Sequence, residues 1–468
     1  MELRFAGAAG EVTGSKHILT TSQAKVLLDC GLFQGHHHDD PEVNHRLPIA
    51  PAELDAVVLS HAHLDHVGML PLLVKGGYHH PIYATRATAE LAELIMLDAA
   101  KLQEQDALFA QKHHLPDPRR YEPLYTQEDV PPVMALMKPT PYAFQDPSWH
   151  QIAAGVEVKF LDAGHILGSS VIVFRIQDNG QQRTLAFTGD LGRFGMPLLR
   201  DPDFPTDPVE TLIMEATYGT RLHHGVDAVD AQLVKVVQES IERKGRIVVP
   251  AFSLGRTQAL IYLLHRLTDQ GKIPRIPIIV DSPLAQRIND VYERHQREYD
   301  AETSKDFTQA HEDPLVFRNL QYTHTVDESK ALNTLQGPAM IISASGMATG
   351  GRVMHHLKNC LPDPSTIVLI TGYQAYHTTG RQLVDGFKTV RIFGQSIPVH
   401  ARIETVNDLS AHADGHELQQ YAEQCQTLKN IFLVHSEHDR ADALRVQLTK
   451  AHSNWNVRIP VKDERYVV

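Results

Sequence analysis

The run His61-Ala62-His63-Leu64-Asp65-His66 puts four metal-binding side chains into six residues. Just before it, LDAVVLS (Leu54 to Ser60) reads as a buried strand, so the cluster begins where a strand gives way to a loop. Imidazole nitrogen and carboxylate oxygen are the ligands zinc takes when thiolate is absent, and a catalytic zinc keeps one position for water. The chain has 29 histidines, but it is their order after an apolar strand that points to hydrolysis.

Further donors share this context, each at the carboxyl end of an apolar strand. Asp29 ends KVLLD, His165 follows VKFLDAG, Asp190 ends TLAFTGD and His435 ends NIFLVH. A strand end holds a ligand rigidly and leaves room for solvent beside it. Together with the cluster they suffice for two zinc ions, and ions about 3.5–4 Å apart can stabilise an in-line phosphoryl displacement. Asp190 suits the bridging carboxylate, whereas Asp29 suits orienting a histidine through a hydrogen bond. The runs His36 to His38, His79-His80, His113-His114, His223-His224 and His355-His356 read as surface or structural.

The opening segment alternates short strands and turns, then forms a long helical pattern from about Thr85 to His114. Pro116, Pro118, Pro131, Pro132, Pro139 and Pro141 break it, and strands resume at VEVKFLDAGH, SVIVFRI, RTLAFTGD and ETLIMEATYG. After Gly219 helices alternate with the strands RIVVPAF and IPIIVDS, the pattern of a parallel, helix-covered sheet. From about Arg391 the chain returns to strands (VRIFG, ARIETV, NIFLVHS) between helices. These changes set expected boundaries at 1–220, 221–390 and 391–468.

With 468 residues, 42% of them apolar and 21% charged, the chain is globular and too long for one core. Three cysteines, none in a CxxC pair, support neither a disulfide framework nor a thiolate zinc site. The start shows no secretory signal, and no apolar run approaches the ~20 residues that cross a bilayer, so a cytoplasmic protein without a membrane partner is expected. The net charge of −12 argues against a polyanionic partner. Its distribution weakens that objection: Arg221 to Val390 holds 19 Lys/Arg and 18 Asp/Glu, against 25 and 38 elsewhere.

The ordered set Asp29, His61-x-His63-x-Asp65-His66, His165 and Asp190 resembles the metallo-β-lactamase superfamily, and Glu215 in EATYG, His412 in SAHAD and His435 in LVHSE resemble motifs A, B and C of its β-CASP branch. PAFSLGRTQ (250–258), DSPLA (281–285), ISASGMATGGR (342–352) and GYQAYHTTGR (372–381) extend the resemblance over essentially the whole chain. It implies an α/β protein, an αββα sandwich interrupted by an α/β β-CASP domain with a parallel sheet. It also implies that His61, His63 and His165 hold one zinc and Asp65, His66 and His435 another, with Asp190 bridging and manganese able to substitute. His412 would donate a proton to the leaving 3′ oxygen, Glu215 would orient it, and Glu437 would join Asp29 in supporting ligands. A histidine at motif C resembles the RNA-processing members.

In ISASGMATGGR, Ser343, Ser345 and Arg352 become candidates to contact a nucleic-acid backbone, as do Arg256 and Arg381. The expected function is hydrolysis of single-stranded RNA, endonucleolytic with 5′ trimming as an additional mode, and a homodimer stays open. The alternative is a thioester or lactam hydrolase, which shares the zinc site but gives no reason for the inserted domain or His412. Two positions depart from the family pattern: Ser436 stands where motif C continues with glycine, and Tyr376-His377 replace an acid-glycine pair.

Overall fold

A computed structural model describes residues 1–34, 42–114, 121–220, 222–308, 312–372 and 374–468. His36 to His38, Pro116, Pro118 and the second residue of GYQA lie outside them. By internal contacts the chain forms two units, Met1–Phe194 with Asp201–Leu222 and His412–Val468, and Gly195–Arg200 with His223–Ala411.

Two seven-stranded sheets build the first unit. One runs Glu464–Val467, Glu2–Phe5, His17–Thr20, Lys25–Leu28, Ala56–Val58, Ile82–Ala84, Met137–Pro139; the other Asn456–Arg458, Asn430–Val434, Thr211–Glu215, Gln181–Phe187, Ser170–Asp178, Val156–Asp162, His150–Ala153. Alternation along the second sheet's strands explains its layers. Ile172, Phe174, Ile213 and Phe432 face the first sheet, packing with Phe5, Val26, Leu28 and Val58. Their neighbours Val171, Val173, Leu212, Met214 and Leu433 pack under Leu418, Tyr421, Leu444 and Leu448 of the helices Gly415–Gln424 and His438–Ala451. On the first sheet, the helix Arg86–Lys112 starts where Thr85 accepts a hydrogen bond from Thr88 N, as its sequence pattern predicts. The result is the expected αββα sandwich.

Parallel pairing aligns the carboxyl ends that matter. Lys25–Leu28, Ala56–Val58 and Ile82–Ala84 run together, as do Gln181–Phe187, Thr211–Glu215 and Asn430–Val434. Ser170 N donates to Ser60 O at 2.8 Å and His435 N to Ala8 O at 2.7 Å, tying loops of the two sheets together. Two glycines permit close approach: a Cβ on Gly31 would lie 1.6 Å from Asp65 O, and one on Gly189 2.3 Å from Ser60 Cβ.

The second unit holds a six-stranded, wholly parallel sheet in the order Leu320–Tyr322, Ile278–Asp281, Ala339–Ser343, Arg246–Pro250, Ile367–Ile370, Arg402–Thr405. Helices connect most of these strands, as the alternation after Gly219 predicts. The return to the first unit differs from its expected place at 391. Thr389–Ile392 and Gln395–Pro398 form a hairpin, and Arg402–Thr405 is the edge strand of the parallel sheet, so the chain re-enters the first unit at His412. Among the described residues no helix is long and apolar enough to cross a membrane, and Cys30, Cys360 and Cys425 are buried and unpaired by disulfides.

Candidate metal centre

After the strand Ala56–Val58 the chain bends at Ser60 and reaches His63, whose extended backbone precedes the short helix Leu64–Val67. His66 N closes this turn on His63 O at 2.9 Å, which returns Asp65 and His66 toward the histidines just left behind. The ligand atoms of His61, His63, His165 and Asp190 lie within 4.8 Å of one another, and so do those of Asp65, His66 and His435.

In the first group His63 Nδ1 is 3.0 Å from His61 Nε2 and 3.4 Å from His165 Nε2. Asp190 Oδ2 stands 3.3 Å from His61 Nε2 and 3.5 Å from His165 Nε2. In the second group His435 Nε2 is 3.2 Å from His66 Nε2 and 3.5 Å from Asp65 Oδ2, with Asp190 Oδ1 3.5 and 3.6 Å from the two rings. Donors about 2.0–2.2 Å from a tetrahedral ion are separated by about 3.3–3.6 Å, so both groups have the spacing of a coordination shell. Asp190 gives one oxygen to each group, and its buried Oδ1 has no hydrogen-bond partner among the described residues.

Electrostatics agree with this fit. Burial drives the pKa of His61 down to about 3, that of His63 to about 4 and that of His165 well below the ordinary value, so all three present neutral imidazoles. Burial also opposes charge on His66, yet Asp190, Asp29 and Asp65 outweigh it and raise His66 to about 10. That spot favours positive charge. Asp65 and Asp190, despite their own burial, are held ionised by His66 and His435.

Asp29 lies outside the three donor groups. Its Oδ1 accepts from Ser60 N at 2.8 Å, and its Oδ2 from Ser60 Oγ at 2.9 Å, Ser15 Oγ at 3.1 Å and His66 Nδ1 at 2.7 Å. Both Asp29 (φ 57°) and His435 (φ 55°) are left-handed non-glycine residues, a strain held at the site by its surroundings.

His412 Nδ1 lies 3.0 and 3.1 Å from the two oxygens of Glu215, whose buried carboxylate also accepts from Leu191 N at 2.7 Å and Thr217 N at 3.3 Å. With Asp190 these two residues form a third group of converging donors. The His412 ring centroid is 4.6 Å from that of His165.

Other candidates are placed differently. Glu437 begins the helix His438–Ala451 and its carboxylate lies 3.4 Å from Arg440, a helix-start contact. Ser436 is buried and donates to Glu437 O. In the second unit Ser343 is buried with its hydroxyl given to Asp281 O at 3.0 Å, which removes it from the candidate phosphate contacts. Arg352 donates to Asp281 Oδ1 at 2.7 Å and Thr323 Oγ1 at 3.2 Å. Ser345 Oγ accepts from Thr349 N and Gly350 N at 3.2 and 3.3 Å in the glycine-rich turn. Arg256 lies against Gly372, and Arg381 pairs with Asp385 at 2.9 Å and sits 4.6 Å from the ring of exposed Tyr376. Sequence reasoning missed Ser60, Thr217 and Asp281. Ser60 directly precedes His61, Thr217 lies inside EATYG and Asp281 opens DSPLA, so position beside a motif was the available signal.

Comparison with known proteins agrees with this geometry. The metallo-β-lactamase superfamily domain matches residues 18–188, the β-CASP domain 257–383 and the Zn-dependent metallo-hydrolase RNA specificity domain 396–460. Ribonuclease TTHA0252 of Thermus thermophilus is 35% identical over 94% of this chain and 94% of its own. Transcription termination factor FttA of Methanocaldococcus jannaschii is 30% identical over 95% of this chain and 69% of its own, and an RNase J-like protein of the same organism 28% identical over 93% and 92%. A solved protein of unknown function from Enterococcus faecalis shares the fold, with a TM-score of 0.55 at 13% identity over 100% of this chain and 99% of that one. Since the 35%-identical ribonuclease aligns along 94% of both chains, the protein belongs to the β-CASP nucleases of the metallo-β-lactamase superfamily.

Proposed function

We propose that the protein is a two-metal ribonuclease that hydrolyses single-stranded RNA internally, with trimming from the 5′ end as a second mode. His61, His63 and His165 would hold one zinc, Asp65, His66 and His435 the other, and Asp190 would bind both; manganese would substitute. Bound there, the two ions would supply the Lewis acidity that polarises a phosphoryl oxygen and activates water.

The observation that carries the reading is the Glu215–His412 pair beside Asp190. Glu215 accepts only, so His412 Nδ1 must be the donor and proton exchange with substrate falls to Nε2. Leu191 N and Thr217 N also donate to the Glu215 carboxylate, which fixes its orientation toward His412. His412 then protonates the leaving 3′ oxygen, which yields a 3′-hydroxyl and a 5′-phosphate. A lactam or thioester hydrolase gives no reason for the inserted β-CASP domain or the matched RNA specificity domain, and no observation favours that alternative.

Support for RNA comes from the matched RNA specificity domain and from the ribonuclease and termination-factor names of the relatives. Burial of His61, His66, Asp190 and His435 favours a single strand, which can thread a phosphate to a recessed site more readily than a duplex. Ser345, Arg256 and Arg381 remain the proposed backbone contacts.

A 5′-labelled single-stranded RNA incubated with zinc or manganese tests this reading. Cleavage is expected with the native chain and not with Asp65→Ala. Undiminished cutting by that variant would overturn the metal roles, and 3′-phosphate product ends would overturn the role of His412.

A further inference from the structure

We propose that two hydroxyls, those of Ser60 and Thr217, dictate which ring nitrogen His61 and His435 present to metal, which makes both serine and threonine positioning residues. The inference rests on the two-metal reading above.

The argument is one of donors and acceptors. A hydroxyl has one proton to give. Ser60 Oγ lies 2.9 Å from Asp29 Oδ2, and a carboxylate can only accept, so the Ser60 proton goes there. The same oxygen lies 3.0 Å from His61 Nδ1. With its proton committed, Ser60 can only accept from that nitrogen, so His61 carries its hydrogen on Nδ1 and turns the lone pair of Nε2 toward His63 and Asp190.

Thr217 repeats the device in the second group. Its Oγ1 donates to the main-chain oxygen of His435 at 3.0 Å, an acceptor only, and lies 3.1 Å from His435 Nδ1. His435 must therefore donate from Nδ1 and keep the Nε2 lone pair for the side facing Asp65 and His66. Thr217 also links two functions, because its backbone N–H holds Glu215 while its side chain holds His435. It is buried, so water does not readily replace the hydroxyl.

The test compares Thr217→Val, which keeps the shape and removes the hydroxyl, with Thr217→Ser, which keeps the hydroxyl. Zinc stoichiometry and affinity are read by competition with a chromophoric chelator. The native chain should bind two ions, Thr217→Val should hold one of them about 10–100-fold more weakly with the other unchanged, and Thr217→Ser should recover most of the loss. Equal binding by Thr217→Val and the native chain would overturn the inference alone, as would equal weakening by Val and Ser, which would mean packing. A native chain that binds fewer than two ions would overturn the two-metal reading itself. Should Thr217→Val not fold, histidine 15N spectra of the zinc-bound native protein, assigned against His435→Gln, decide: His435 must be protonated at Nδ1, and protonation at Nε2 contradicts the proposal.

Discussion

Asp29 in the first unit and Asp281 in the second are buried carboxylates at the ends of parallel strands, and each holds an imidazole. Asp29 accepts from Ser15, Ser60 and His66; Asp281 accepts from Ser329 and His356 at 2.6 Å each, from Arg352 at 2.7 Å, and from Thr323. Burial works against the charge on Asp281, but the hydrogen bonds of His356, Ser329, Thr323 and Arg352 hold it well below the carboxylate range. The difference lies on the far side of the ring. His66 turns Nε2 toward His435 at 3.2 Å, whereas His356 Nδ1 is buried with no partner among the described residues. A carboxylate–imidazole pair is thus a general positioning device, and it becomes a metal centre only where further donors converge on the second nitrogen.

The largest effect should come from Asp190→Ala, which removes the one carboxylate that reaches both donor groups. RNA cleavage should fall to background and zinc content should drop; retention of both would break the contrast with Asp281. His412→Ala should lower kcat by about 10²–10⁴-fold with zinc content unchanged. Metal loss in that variant would mean that His412 serves the centre rather than the proton. Asp281→Asn should do the reverse: it leaves a buried network without its charge, at a cost of about 3–5 kcal/mol in urea unfolding, and leaves the zinc count intact.

A smaller effect concerns His17, buried among the rings of Phe5 and Phe187 with neither nitrogen partnered among the described residues. Burial lowers its pKa to about 3. The unfolded chain takes up a proton near pH 6.5 while the folded one resists, so this residue costs stability as pH falls from about 6.5 toward 3. In His17→Phe the dependence of unfolding free energy on pH should be shallower over that window by about one proton, or ~1.4 kcal/mol per pH unit. An unchanged slope would show that His17 does not contribute.

The donors converging in the first two groups were legible because each either sits in a contiguous run or follows the end of an apolar strand within three residues, and parallel pairing brings such ends to one edge. Asp29 was legible for the same reason. Ser60 and Thr217 were not, since any hydroxyl can cap, turn or bond, and its partner is fixed only by the fold. Ser343 and Arg352 looked available to phosphate because the residue that engages both, Asp281, lies more than sixty positions away in sequence. The return boundary shifted from 391 to His412 because Arg402–Thr405, half-buried throughout, carries no pattern that says which sheet it joins.

Anomalous diffraction at the zinc edge from metal-soaked crystals tests the central claim most directly. Two peaks are predicted, one among His61, His63 and His165 and one among Asp65, His66 and His435, with Asp190 in reach of both. A single peak, or strong peaks away from these residues, would contradict it.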